Sequence, residues 1–210
     1  MTAIVNYPWV EPFLSAHFEF GGVSSTLAVR SVLNGGVQTS EVPGKRWKAS
    51  MTLPSATLED RAAVEAFFDS LNGQATRVRI WHMGRLGRQG HGSPMGTINT
   101  TGVTVKTDAA QFATQFTIAG CGNATTLEAG DMLAVNGQLL MNPAQAVANA
   151  GGDMVVKATG GLRQALTAGM AVTLIKPTAL FILSNPDWRA SYTNGAYSTE
   201  FAIDFEEVFA

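Results

Sequence analysis

Between Arg46 and His82 the apolar positions switch from a period of two to a period of 3.6 and back. Trp47, Ala49, Met51 and Leu53 alternate with Lys48, Ser50 and Thr52, the pattern of a strand with one buried face. Pro54 and Ser55 end it. Thr57 is placed to cap a helix, with Asp60 three residues on adding negative charge to the first turn. Val64, Phe67, Phe68 and Leu71 form one apolar stripe, with Glu59, Arg61, Glu65 and Asp69 mostly off it. Asn72-Gly73 supplies a left-handed stop. From Thr76 alternation returns, with Val78 and Ile80 set against Arg77, Arg79 and Trp81. Two half-buried strands with a helix between them need a shared sheet for the helix to lie on.

The remaining chain reads as β-structure around this stretch. Tyr7-Pro8-Trp9-Val10-Glu11-Pro12 is an extended arm, because its prolines disfavour helix and sheet interior alike. Its aromatics are expected to dock on this subunit or on a neighbour. His17 to Phe20 alternates, as does Thr26 to Leu33; Asn34-Gly35-Gly36 is a turn, and Val37 to Val42 leads on through Pro43-Gly44. Gly84 to Pro94 is a glycine-rich, basic loop that marks a boundary. Beyond it come short strands at Val103–Val105, Phe116–Ile118, Met132–Val135, Gln138–Met141, Met154–Ala158 and Met170–Ile175. Asn136-Gly137 between two apolar runs predicts a hairpin. This texture predicts a small closed barrel, with a small sandwich as the alternative. Leu180 to Leu183 is a further strand. In the last strand Phe201, Ile203 and Phe205 alternate with Glu200, Ala202, Asp204 and Glu206, and such a strand is expected to complete the first sheet. The predicted organisation is therefore a discontinuous outer domain, residues 1–94 and 178–210, interrupted by residues 95–177.

The strand R-W-x-A-x-x-x-L-P, the helix ending A-F-F-x-x-L-N-G and the following strand with an aromatic resemble the tail proteins of long-tailed bacteriophages, the distal tail proteins in particular. The residues that carry the likeness are Arg46, Trp47, Ala49, Leu53, Pro54, Phe67, Phe68, Leu71, Gly73 and Trp81. Gly130-Asp131, Asn136-Gly137 and Leu162-Arg163 resemble the oligonucleotide-binding-type (OB) barrel that some of these proteins carry as an insert. Gly152-Asp153 departs from the more usual Asp-Gly order. The resemblance implies a mainly β fold with one helix, a ring-forming β-sandwich interrupted by an OB-like barrel. It also implies a homo-oligomeric ring of six copies in the virion tail, assembled in the bacterial host cytoplasm. The ring would join the tail-tube protein to the tail-tip or hub proteins. The alternatives are a monomeric carbohydrate-binding module using the barrel, and another tail protein such as a tube subunit.

Composition adjusts this picture in two ways. Only 14% of the 210 residues are charged, well under the usual quarter or so, which fits a surface partly covered by partners or one made polar by Thr, Ser and Asn. The net charge of −2 gives no bias toward nucleic acid. Neither a signal peptide nor a membrane-spanning run is expected.

Site chemistry is sparse. His17, His82 and His91 are scattered with no carboxylate cluster, so no metal and no cofactor is expected. Cys121, the single cysteine, sits in a Gly-Cys-Gly turn that is expected to be exposed, and no nucleophile elbow is present; the chain is not expected to be an enzyme. The Gly84–Gly92 loop, with Arg85, Arg88 and His91, has the composition of an anion cradle but lacks P-loop order; a hinge or inter-subunit loop is the plainer reading. Phe112 and Phe116 fit core positions. Candidate subunit-contact residues are Tyr7 and Trp9 in the arm, Lys45, Arg46 and Lys48, Arg85 and Arg88, and the acidic face of Glu200, Asp204 and Glu206, with Glu207 beside it.

Overall fold

A computed structural model of the chain describes residues 3–8, 13–14, 17–32, 34–54, 57–186 and 201–209, with backbone alone at 25, 41–44, 58 and 201. In chain order the first elements are β1 (Ile4–Asn6), β2 (His17–Arg30), β3 (Val37–Leu53), α1 (Leu58–Ser70) and β4 (Arg77–Trp81). The short strands β5 (Leu86–Gly87), β6 (Gly90–His91), β7 (Thr104–Val105), β8 (Gln115–Ala119) and β9 (Thr126–Leu127) follow. Then come β10 (Met132–Val135), β11 (Gln138–Met141), β12 (Ala146–Val147), β13 (Met154–Lys157) and β14 (Val172–Thr173). The chain closes with β15 (Thr178–Leu183) and β16 (Phe201–Glu207). The protein is mainly β with a single helix among the described residues.

Two compact units divide the chain: Met1–Gly21, Trp47–Gly84 and Thr178–Ala210 in one, Gly22–Arg46 and Arg85–Pro177 in the other. The crossings fall after Gly84 and after Pro177, and residues 22–46 group with the second unit, where the sequence pattern had set them in the first.

The first unit is built on a six-stranded sheet in the order β1-β4-β15-β16-β3-β2. Its alternating pattern sets the inner face. Phe205 lies opposite Ala49 and Ile203 opposite Met51, while Phe181 lies opposite Val78 and Ala179 opposite Ile80; all are buried. Helix α1 begins as the sequence predicts: the Thr57 hydroxyl accepts the Asp60 N–H at 3.2 Å. It ends at Leu71, followed by Asn72 and Gly73, both at positive φ. Val64, Phe68 and Leu71 are buried, and the Phe68 and Phe205 ring centroids lie 6.4 Å apart. Burying one such aromatic contributes roughly 1.5–3 kcal/mol.

Arg61 departs from the expected outward position. It is buried three residues before Val64 on the same stripe, with its Nε donating to Glu65 Oε1 at 3.0 Å. A long aliphatic stem lets arginine lie on an apolar face while its head finds a carboxylate one turn on.

The strands β2 and β3 are longer than their patterns suggest. Each runs without a break through a step that reads as an interruption, Gly21-Gly22 in one and Pro43-Gly44 in the other.

The second unit surrounds its own core, which includes Ile118, Leu127, Leu133, Met154, Val156 and Leu162. One three-stranded sheet runs β13-β8-β7, another β11-β10-β14, and a bridge between Thr104 and Ala171 links them. The β10–β11 turn is Asn136-Gly137, both at positive φ, as an Asn-Gly hairpin requires. Buried polar side chains close the loops. Asp131 accepts backbone N–H groups from Met95 at 2.8 Å, Gly96 at 3.1 Å and Glu128 at 2.8 Å. Gln138 Oε1 accepts from Arg163 N at 2.7 Å and Gln164 N at 3.1 Å. Asn142 Nδ2 donates to the carbonyls of Leu127, Glu128 and Ala144.

Two stability predictions follow from this packing. Phe68→Ala should destabilise the first unit by about 3–5 kcal/mol in chemical denaturation. Phe67→Ala should cost less, because Phe67 is only half-buried, and Asp69→Ala under about 0.5 kcal/mol. Asp131→Ala strands one buried N–H group, that of Gly96, at roughly 1–3 kcal/mol, and two part-buried ones, those of Met95 and Glu128, at less, and should destabilise the second unit by about 2–4 kcal/mol. Asp131→Asn, which keeps one acceptor oxygen, should cost less in the same experiment.

Candidate interaction surfaces

The alternation that buries one face of the six-stranded sheet turns Lys48, Ser50, Asp204 and Glu206 to the other. Lys48 lies directly opposite Glu206 on the neighbouring strand, Nζ to Oε2 3.9 Å, and Asp204 opposite Ser50. One basic and one acidic group of the candidate subunit-contact set therefore face each other inside one chain. With both side chains partly in water, the pair contributes under about 1 kcal/mol. Glu19, Lys48, Ser50, Ser184 and Asp204 line a surface cavity of about 510 Å³ on this unit.

Glu207 does not share that face. It is fully buried, and its Oε2 accepts the Trp47 N–H at 2.9 Å, beyond the last ladder pair of β3 and β16. An alternating pattern that stops at Glu206 gives no signal for this role.

The arm residue Tyr7 is turned into its own unit. Its ring packs edge-on against Phe13, Phe67 and Phe205, at 6.2, 5.8 and 6.2 Å, and its hydroxyl donates to the Phe13 carbonyl at 3.2 Å. Burial pushes its phenol pKa well up. Tyr7 thus offers a neighbouring subunit no ring surface. Trp9 and Glu200 lie outside the described residues.

The remaining basic candidates separate. The Lys45 carbonyl accepts a hydrogen bond from Arg163 Nη1 at 2.8 Å, and Arg46 is exposed. Arg85 is held within the second unit. Its Nη2 donates to the Ala129 carbonyl at 3.4 Å and lies 4.0 Å from Asp131 Oδ1, over Gly130, where a Cβ would collide with the guanidinium. Arg88 is exposed, and with Gln89, Pro94, Thr97 and Thr100 it lines a cavity of about 310 Å³.

The loop that carries these arginines is a tight β5–β6 hairpin. Its amides are used internally: Gly92 N donates to Arg85 O at 2.8 Å and Arg88 N to Pro94 O at 2.9 Å. Gln89 N donates to Ser93 Oγ at 2.9 Å. Gly87 stands where a Cβ would collide with the Ser93 carbonyl. An anion cradle needs N–H groups that point outward, and these amides point into the hairpin.

Other chemistry-bearing residues have structural surroundings. His17 meets Glu19 at 3.0 Å, and His82 lies among the Phe18 and Phe20 rings. Among the described residues no group of three His, Cys, Asp or Glu side chains is arranged to hold a metal, and no helix is long and apolar enough to cross a membrane. Lys106 pairs with Asp153 on the second unit, and that hydrogen bond holds the carboxyl pKa below its usual value. Phe112 is not in the core. It is 53% exposed and at a φ of 68°, an uncommon conformation for a bulky residue.

Comparison with protein-family models and with curated proteins gives no match for the chain.

Contrary to the exposed turn its flanking glycines suggest, Cys121 is fully buried in the core of the second unit, and burial together with the Asp153 charge pushes its thiol up to about 11. The raised value keeps the thiol neutral at pH 8, so the native protein should react with an aromatic disulfide reagent at least a hundredfold more slowly than the urea-unfolded chain. Comparable rates would show that the turn opens readily.

Proposed function

We propose that the chain is a structural subunit of a long-tailed phage or prophage tail, a distal-tail-type protein whose copies form a ring between tube and tip. The observation that carries this reading is the Arg46–Trp81 stretch. Six of the ten residues on which the likeness to tail proteins rests, Trp47, Ala49, Leu53, Phe68, Leu71 and Trp81, are buried in the first unit. In this reading the first unit is the ring-forming part, and the second unit, with its short strands and Asn-Gly hairpin, is an OB-type barrel. The work of such a subunit is mechanical, and the residues that matter are those that meet neighbouring copies. Tail-tube and tip proteins are the further partners.

A monomeric carbohydrate-binding module is the second reading, favoured by one observation, the exposed Phe112 on the second unit. Aromatic faces in water are what sugar rings stack on. A single such ring makes a weak platform, so the tail reading stands first.

The purified protein should assemble into rings at high concentration or on addition of a tail-tube protein. Light scattering across a concentration series, with negative-stain images of the same samples, tests this. A strict monomer under both conditions, together with a Phe112-dependent shift on a glycan array, would favour the binding module.

A further inference from the structure

The hairpin segment Gly22–Arg46 carries apolar side chains in water. Ser31 N donates to Gly36 O at 2.8 Å at its tip, and Phe20 stacks on Trp47 at its other end, at 5.2 Å. Counting between these two pairs sets Leu27 opposite Ser40 and Val29 opposite Gln38. Val23, Leu27 and Val29 then share one face of the ribbon, and they are 44%, 65% and 56% exposed.

The backbone of this ribbon is open as well. Among the described residues β2 is the terminal strand of its sheet. Because Ser31 turns its N–H toward β3, the even-numbered residues Ser24, Thr26 and Ala28 turn theirs to the free edge. Monomeric proteins blunt long edges with charge, proline or a bulge. From Gly21 to Val29 this edge has no charged residue and no proline.

We propose that β2 is a self-association element: a strand of a second copy of this chain adds along its free edge and covers Val23, Leu27 and Val29. The edge supplies main-chain hydrogen bonds and the apolar stripe supplies side-chain burial, the two parts of strand addition. The features of the face fit another copy better than a lipid surface. A spanning strand needs about 9–11 residues with a continuous apolar side, and here Ser40 and Gln38 interrupt it. The ribbon from Gly22 to Arg30 is about 30 Å long and about 10 Å wide, taking ~3.3 Å per residue and ~4.8 Å between strands. A strand added along an edge about 30 Å long buries less than the roughly 1,200 Å² of a small stable interface, so other contacts share the load.

This inference rests on the reading of the chain as a self-assembling subunit, and the test separates the two. Sedimentation of the wild type, of Leu27→Lys with Val29→Lys, and of Thr26→Lys on the opposite face is measured across a concentration series. Circular dichroism confirms that each variant is folded. The expected result is an assembling wild type, a double variant whose half-assembly concentration rises at least tenfold, and a Thr26 variant changed much less. In the assembled wild type, residue-resolved hydrogen exchange should show the Ser24, Thr26 and Ala28 amides protected, and dilution to the monomer should release them. That second measurement decides the matter should the double variant fail to fold. An assembly that leaves these amides exchanging freely, or that the double variant forms equally well, overturns the role of β2 while the ring reading stands. A wild type that remains monomeric at high concentration and also with tail-tube protein added overturns both. Loss of binding to anionic phosphatidylserine vesicles in the double variant, with assembly unchanged, would assign the ribbon to a membrane surface and overturn the proposal.

Discussion

The first unit depends on the placement of its last strand. β3 and β4 are joined by α1 and adjacent in sequence, yet β15 and β16 lie between them in the sheet. The strand–helix–strand stretch therefore leaves a gap two strands wide, which residues from the far end of the chain fill. Phe205 on β16 is the side chain that makes the arrangement a core. It meets Phe68 from the helix and Tyr7 from the arm, and its strand neighbour is Ala49. A small residue opposite a large one leaves room for both rings. Glu207 then satisfies the Trp47 N–H where the β3–β16 ladder stops. A sheet closed by pairing across some 150 residues has high contact order, and its formation is expected to be slow relative to that of a local hairpin.

Much of this was legible in the sequence because it rests on local periodicity. The α1 stripe, the Thr57 cap, the Asn-Gly hairpin and the alternation from Phe201 to Glu206 each follow from spacing within one element. The readings that differ depend on what an element meets. Arg61 occupies the same stripe as Val64, Phe68 and Leu71, and residue type alone argued against its burial. Pro43 lies inside β3, where counting from Ser31–Gly36 turns its backbone nitrogen away from β2. A proline at that position forfeits no ladder hydrogen bond. Phe112 looked like core material by type, and its backbone conformation, invisible in a single residue letter, turns it outward.

Polar groups follow a similar logic in the second unit. It has no disulfide to close its loops, since Cys121 is the only cysteine. Asp131, Gln138 and Asn142 do that work by taking up backbone groups that loops leave over. Each is costly to bury alone and favourable once paired. Asp131 gathers the Met95–Gly96 backbone and the Glu128 turn onto one carboxylate, and Arg85 leans on the same group. The Gly130-Asp131 step is thus a structural clasp: the glycine admits the guanidinium and the aspartate receives the amides. Arg85 is consumed by this clasp, which leaves Arg88 as the exposed arginine of its hairpin.

Register decides which side chains the long hairpin shows to its surroundings. A slip of one residue would exchange the face of Val23, Leu27 and Val29 with that of Ser24, Thr26 and Ala28. Two-stranded ribbons with mixed faces are prone to such slips, because no core penalises them. Here both ends are fixed. At the sheet end Phe20 stacks on Trp47 and meets Phe181 at 6.1 Å, so a shift would pull an aromatic ring out of a packed cluster. At the tip, Ser31 pairs with Gly36 and Gly35 adopts positive φ, a turn that few other registers accommodate. Between these anchors the ribbon needs no core of its own to keep its apolar side chains on one face. The aromatic cluster at Phe20 therefore also fixes which side chains are exposed three to nine residues further along the strand.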